Sequence, residues 1–368
     1  MKQYGLRTVI SAFTLRGEFV SGESYGSGHI NDTYAVVMNQ AGTLVRYILQ
    51  RINQNVFKQP GAVMENIERV TSHLHARTEK KFAADASRRS LTLVRARDGN
   101  AWHVDEAGNY WRCYFFIEGA RTYDQIETPQ QACAAARAFG EFQKQLADLP
   151  APRLHETIPH FHDTRSRFEA LRRAIAADSR NRAALVRDEI AFALRREAIV
   201  DVLLRAQADG ELPERVTHND TKLNNVMLDD HTGEGICVID LDTVMPGLTL
   251  YDFGDMCRTA CRPAAEDELD LSKVTVRVDM FEALARGYLS SAGDFLVKAE
   301  KERLAFSARL ITFEIGLRFL TDYLEGDKYF KIHRPSHNLD RARVQFRMVE
   351  SFEKDEAELD RIVAEIYC

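Results

Sequence analysis

An aspartate, an asparagine five positions on and a second aspartate fifteen beyond that stand in His218-Asn219-Asp220-Thr221-Lys222-Leu223-Asn224-Asn225 and Ile239-Asp240. Those residue types at that spacing suit phosphoryl transfer as kinases carry it out. One carboxylate must accept the proton of the acceptor hydroxyl, and hard oxygen donors must hold Mg²⁺ against the phosphate in flight. Asp220 is the expected base. Asn225 and Asp240 are the expected magnesium ligands, because an amide oxygen and a carboxylate suit this ion better than sulfur or imidazole. Read singly, His218 and Asp220 are also turn formers and Asn224-Asn225 a cap. A glycine-rich turn upstream, in the order a kinase requires, favours the chemical reading.

That turn is Gly26-Ser27-Gly28. Glycines let backbone approach an anion closely, so amides near Ser27, Gly28 and His29, helped by the Asn31 side chain, are expected to cradle the triphosphate of ATP. No GK[ST] follows, so this is not a Walker A loop, and a lone GxG is also a common hairpin turn. Kinases place a lysine on the third strand, paired with a glutamate on the next helix. The run Leu44-Val45-Arg46-Tyr47-Ile48-Leu49-Gln50-Arg51-Ile52 has no lysine. Arg51 is the first substitute and Arg46 the second, with Glu65 or Glu68 as partner; a surface strand arginine is the alternative. Tyr114-Phe115-Phe116-Ile117-Glu118-Gly119 is the candidate hinge, where adenine would meet backbone at Ile117 and Glu118, although its aromatics suit a core strand equally well.

Positioning these groups takes two lobes. Residues 18–52 alternate β-rich runs with turns at 24–31 and 39–42, which predicts a meander. Pro60 opens a helix with Val63, Met64, Ile67, Val70 and Leu74 on one face, and strands are expected at 90–95, 101–105 and 110–117. After residue 118 the pattern turns helical: 129–149, with Cys133, Ala136, Phe139, Phe142 and Leu146 aligned, then about 164–177, 184–208, 276–291, 296–324 and 337–365. The expected fold class is α+β, with a sheet-and-helix nucleotide lobe at 1–118 and a mostly helical catalytic lobe at 119–368.

A chain of 368 residues can bury two cores. Its formal charge of -6 argues against a nucleic-acid partner, no apolar run is long enough to span a bilayer, and nothing at the N-terminus resembles a signal peptide. The six cysteines include no CxxC pair, which argues against a disulfide scaffold or zinc knuckle and for a reducing cytoplasm. His160 and His162 read as loop or packing histidines.

Ser27-Gly28-His29-Ile30-Asn31-Asp32-Thr33-Tyr34, the 218–225 loop and Ile239-Asp240-Leu241-Asp242-Thr243 together resemble the aminoglycoside phosphotransferase and choline kinase-like superfamily. Leu49-Gln50-Arg51-Ile52-Asn53 with Val56-Phe57-Lys58, Ile158-Pro159-His160-Phe161-His162-Asp163, Tyr251-Asp252-Phe253-Gly254-Asp255, and the run from Leu317 to Asp327 look more narrowly like bacterial N-acetylhexosamine 1-kinases. The resemblance implies a bilobal protein-kinase-like fold. It also implies ATP-dependent phosphorylation of the anomeric hydroxyl of N-acetylglucosamine or N-acetylgalactosamine, with no obligate protein partner. Asp242, Arg318 and Tyr323 are then the expected sugar contacts, with helix packing as the other reading of the last two. Asp252 and Asp255 would brace the catalytic loop. Rival readings are a kinase for choline, an amino alcohol or another sugar, and a non-catalytic nucleotide-binding module.

Overall fold

The computed structural model describes residues 4–26, 30–82 and 85–367. They pack as two compact units: one takes the chain up to Asp124 with Asp148–Ile158 and Val226–Met245, the other Gln125–Ala147, Pro159–Asn225 and the chain from Pro246 on.

In the first unit the 18–52 region is the expected meander, Glu18–Ser24, Asp32–Gln40 and Thr43–Arg51, with antiparallel pairing throughout. Ala41 and Gly42 both take positive φ in the two-residue turn, which matches the twist of the strands it joins. Tyr110–Phe115 adds beside Thr43–Arg51, then Leu93–Val94, with His103–Val104 also on Tyr110–Phe115. These last strands are shorter than the apolar runs suggested. A helix the sequence pattern had not marked, Leu6–Ser11, brings Val9, Ile10 and the following Phe13 against Val36, Met38, Tyr47, Leu49, Trp111 and Cys113. Each large side chain buried there stabilises the unit by roughly 1.5–3 kcal/mol. Strand alternation sends Gln50 and Arg112, cross-strand partners, to the opposite face. A smaller sheet of Ala120–Arg121, Val226–Asp229 and Gly235–Val238 completes this unit.

The second unit is helical. Pro129–Leu146 starts with a capping box: the Gln131 amide donates to the Thr128 hydroxyl, and the Thr128 amide donates to the Gln131 side chain. It packs against Val278–Ala292, where a Cβ on Gly287 would collide with the Cys133 carbonyl. Phe313, Leu317, Leu320 and Leu324 of Leu304–Glu325 bury against Phe168 and Leu171 of Thr164–Ala177 and against Leu339, Phe346 and Val349 of His337–Tyr367. The expected helix at 184–208 is interrupted into Arg187–Leu194 and Val202–Ala208. No Gly or Pro marks the break; the intervening turn presents Glu197 and Asp201 to Arg165 and Arg196 to Glu353.

A second helix outside the sequence pattern is Thr249–Ala260. Its polar residues Asp252, Asp255 and Arg258 are buried along with the apolar ones, so no side of it faces solvent. Gly254 lets it lie directly on the Ser307 backbone. Among the described residues no helix is long and apolar enough to cross a membrane.

Candidate active site

The strand Arg215–Thr217 feeds the loop His218-Asn219-Asp220, and the turn Leu223–Asn225 closes it. Asp252, from the buried helix, braces that loop. Its carboxylate accepts from the His218 amide at 2.8 Å, the Asn219 amide at 2.7 Å and the Gln143 side chain at 2.6 Å. Backbone amides that belong to no ladder thus keep acceptors. Asn219 sits at φ 65°, a left-handed conformation that Asn tolerates better than most residues. Directly after it, the Asp220 carboxylate is 2.9 Å from Lys222 Nζ, and the Asn225 side-chain nitrogen donates to the Asp220 carbonyl at 2.9 Å. Asp220 and Asn225 are therefore neighbours in the second unit. The amide oxygen of Asn225 is the end turned from the Asp220 carbonyl. Asp255, the other expected brace, pairs instead with Arg258 at 2.8 Å.

In the first unit Asp240, at φ 60°, opens the tight turn Leu241–Thr243. Such a conformation costs a non-glycine residue about 1–2 kcal/mol and needs support from its surroundings. The next acidic residue supplies it. Asp242 is buried, ion-paired to Arg112, and accepts from Asn31 Nδ2 at 2.5 Å, while Thr157 donates to its carbonyl at 3.0 Å. Gln50 takes the remaining side of Arg112 at 2.9 Å, and the Asn53 amide donates to Asn31 at 3.0 Å.

A model of the APH family, described as the phosphotransferase enzyme family, matches residues 21–293. The chain belongs to this phosphotransferase family. Solved structures similar over almost its whole length include the aminoglycoside phosphotransferase from Alicyclobacillus acidocaldarius, at 12% identity and a TM-score of 0.61 over 99% of this chain and 98% of that one. A microcompartment-associated aminopropanol kinase aligns at 16% identity and 0.58, over 96% and 98%. A spectinomycin phosphotransferase solved with ADP and spectinomycin aligns at 12% and 0.58, over 95% and 98%. At such identities the likeness bears on fold, and the fold of this phosphotransferase is the α+β, bilobal, protein-kinase-like one.

Electrostatics in the phosphotransferase keep Asp220 charged. Burial works against its anion, but Lys222, with smaller help from His218 and Arg258, holds its carboxyl below the usual range. Asp220 in turn pushes Lys222 up to about 12. The charge of Arg112 is likewise secured: burial opposes it, and the carboxylates of Asp242 and, more weakly, Asp240 outweigh burial.

Other expected site residues lie as follows. Ser27, Gly28 and His29 are outside the described residues. Arg51 and Glu65 are not brought together: Arg51 bonds Asp32 at 2.7 Å beside the Tyr4 ring, and Glu65 bonds His155 at 2.7 Å. Glu68 pairs with Arg95. Alternation is the reason, since Arg51 is in register with Trp111 and shares the face covered by Leu6–Ser11, whereas Gln50 shares a face with Arg112. Arg46 pairs with Glu118 and lies over Phe116. Ile117 is packed on Met227, Ile236 and Cys237, and the Glu118 carbonyl accepts from Arg88 at 2.9 Å.

Arg318 and Tyr323 diverge, because five residues are about 140° apart around a helix. Tyr323 is a core side chain. Arg318 instead faces the rings of Phe161, Tyr329 and Phe330 at 5.5–5.6 Å, with its Nη2 3.4 Å from the Tyr329 hydroxyl. Asp322 builds this corner by accepting the amides of Lys328, Tyr329 and Phe330 at 2.8–2.9 Å. Tyr329, Lys222 and Arg112 thus went without a role in the sequence reading. The run of polar residues after Gly326 was a signal for the first, while a single arginine within a strand gave none for the last.

Proposed function

We propose that this phosphotransferase is an ATP-dependent kinase that phosphorylates the anomeric hydroxyl of an N-acetylhexosamine, N-acetylglucosamine or N-acetylgalactosamine, to the sugar 1-phosphate. Asp220 is the base. Its carboxylate, kept ionised beside Lys222, hydrogen-bonds the acceptor hydroxyl and takes its proton late, as the new O–P bond forms. An anomeric hydroxyl is more acidic than an ordinary alcohol, so a carboxylate of low pKa suffices, and positioning supplies most of the rate. Asn225 and Asp240 offer two hard oxygen donors for Mg²⁺, which when bound would neutralise charge on the transferring phosphoryl group. Asn31, Ser27, Gly28 and His29 are assigned to the triphosphate, and backbone at Ile117 and Glu118 to the adenine.

The observation that carries the acceptor class is the corner around Arg318. A kinase for choline or an amino alcohol would want aromatic rings open to a ligand cation. Here the rings of Phe161, Tyr329 and Phe330 already surround a protein cation, and Arg167 is close enough that Arg318 helps burial lower its pKa. Like charge disfavours a cationic acceptor, whereas a neutral, polyhydroxylated one gains an aromatic face and guanidinium donors. The corner reaches the catalytic loop through Phe161 and its neighbour His162, whose Nε2 is 3.2 Å from the Asn219 carbonyl. Arg318 and Tyr329 are therefore the assigned acceptor contacts in the second unit.

An acceptor panel with Mg-ATP, read by ADP release and by the position of the phosphate in the product, tests this reading. N-acetylhexosamines should turn over with the phosphate on the anomeric oxygen. Turnover of choline or ethanolamine alone, or of no hexosamine at all, would overturn the assignment. Arg318→Met should raise the KM for the sugar by about 10-fold to 100-fold, the weight of hydrogen bonds from a charged donor, with the KM for ATP within about twofold. Equal loss toward ATP and sugar would argue for a packing role only.

A further inference from the structure

His162 lies in a segment that sequence alone assigned to loop or packing. Its ring is almost fully buried, flanked by Phe161 and Tyr251 with centroids 4.7 and 5.1 Å away, and so has little room to turn. Nδ1 is 3.0 Å from a Glu314 carboxylate oxygen, and Nε2 is 3.2 Å from the Asn219 carbonyl oxygen. A carbonyl oxygen has no proton to give. The other Glu314 oxygen accepts from the Thr164 hydroxyl at 2.6 Å. Both ring nitrogens thus face acceptors, an arrangement that a neutral imidazole, with one N–H, satisfies on only one side.

We infer that His162 is a positioning residue for the reaction, held as an imidazolium that ties the Asn219 carbonyl and thereby aims Asp220. The tied carbonyl belongs to the peptide that leads directly into Asp220. Asp252 holds the amide side of the same residue, so the left-handed Asn219 is fixed from both ends. Aim matters because a misplacement of about 1 Å at the reacting group can cost about 100-fold in rate.

The surroundings favour the cation. Helix Leu304–Glu325 presents Glu314, with Arg318 a turn further on; Thr249–Ala260 contributes Asp255 and the Tyr251 hydroxyl; Asp163 and Arg167 stand at the start of Thr164–Ala177. Burial disfavours the charged ring, but Glu314, by hydrogen bond and by charge, outweighs it, with Asp255 and the Asn219 carbonyl adding to the effect, so the pKa of His162 rises above its ordinary value. A raised pKa means the tie is complete at pH below the ordinary imidazole range and is lost as pH rises through the higher folded-state value. The kcat profile should therefore carry an alkaline limb that reports His162.

The inference rests on Asp220 as base but not on the identity of the acceptor, and one arm of its test is independent of turnover. In the full chain labelled with ¹⁵N-histidine, an NMR pH titration should show both nitrogens of His162 protonated through the ordinary imidazole range and the proton lost only above it, the resonance being assigned by its loss in His162→Gln. That variant should lower kcat about 10-fold to 100-fold, shift the KM for ATP by less than about twofold, and lose the alkaline limb. Should it fail to fold, Glu314→Gln should move the limb to lower pH. A ring that loses its proton at or below the ordinary imidazole range, a kcat for His162→Gln within about twofold of the parent, or an unmoved limb in Glu314→Gln would each overturn the assignment. If the NMR arm succeeds while every acceptor fails, the acceptor reading alone is lost.

Discussion

Asp220→Asn is expected to lower kcat by about three orders of magnitude while ADP still binds within about twofold of the parent. The amide keeps the shape of the carboxylate, and the hydrogen bond that Asn225 gives to the Asp220 carbonyl involves only main chain on the acceptor side. What is removed is the anion that takes the hydroxyl proton, a role worth about 10²–10⁴ in rate. Lys222 loses its partner, but its side chain is 46% exposed, so water compensates the charge and the fold should barely change. Single-turnover kinetics with ATP and the best acceptor, beside calorimetric titration with ADP, measures both halves. Retention of more than a tenth of the parent kcat would remove Asp220 from the role of base.

The second large effect is on stability. Arg112→Met should destabilise the first unit by about 3–5 kcal/mol, the usual consequence of stripping one partner from a buried ion pair. Arg112 and Asp242 are 1% and 3% exposed, so the abandoned carboxylate cannot recover its hydration in place. Asn31 would remain as its donor, which is too little to offset a buried charge. Both tryptophans, Trp102 and Trp111, lie in this unit, so urea unfolding followed by tryptophan fluorescence reports on it directly. Arg112→Met combined with Asp242→Leu should be more stable than Arg112→Met alone, because an apolar pair leaves no orphaned charge. A single-variant loss below about 1 kcal/mol, or a double variant that is worse, would show that the pair does not hold the turn after Asp240.

The 218–225 loop stood out in the sequence as a candidate site because the chemistry it suggests is local. A candidate base, an asparagine five positions on and an acidic residue after a short apolar run stand at fixed intervals, and the chain need only fold them as turns. The meander of the first unit and the Pro129–Leu146 helix were legible for the same reason: β-rich runs punctuated by turns, and an apolar face at period 3.6. The break in 184–208 was not, since the turn there is tied by ion pairs to Arg165 and Glu353, which lie outside that run.

Three decisions belonged to tertiary structure. Thr249–Ala260, which carries the brace for the 218–225 loop, buries its polar residues Asp252, Asp255 and Arg258 as well as its apolar ones, and what those polar side chains meet is set by the packing around them. Which arginine faces the turn after Asp240 depends on which residues share a sheet face, and register put Arg51 with Trp111 and Arg112 with Gln50. His162, an unremarkable histidine in sequence, meets a carboxylate 152 residues away and a carbonyl 57 residues away. Spacing along one chain specifies groups within a turn or a strand of each other. The charge state of a buried side chain is set by whatever packing brings to both of its ends, and that is decided only when the distant segments close around it.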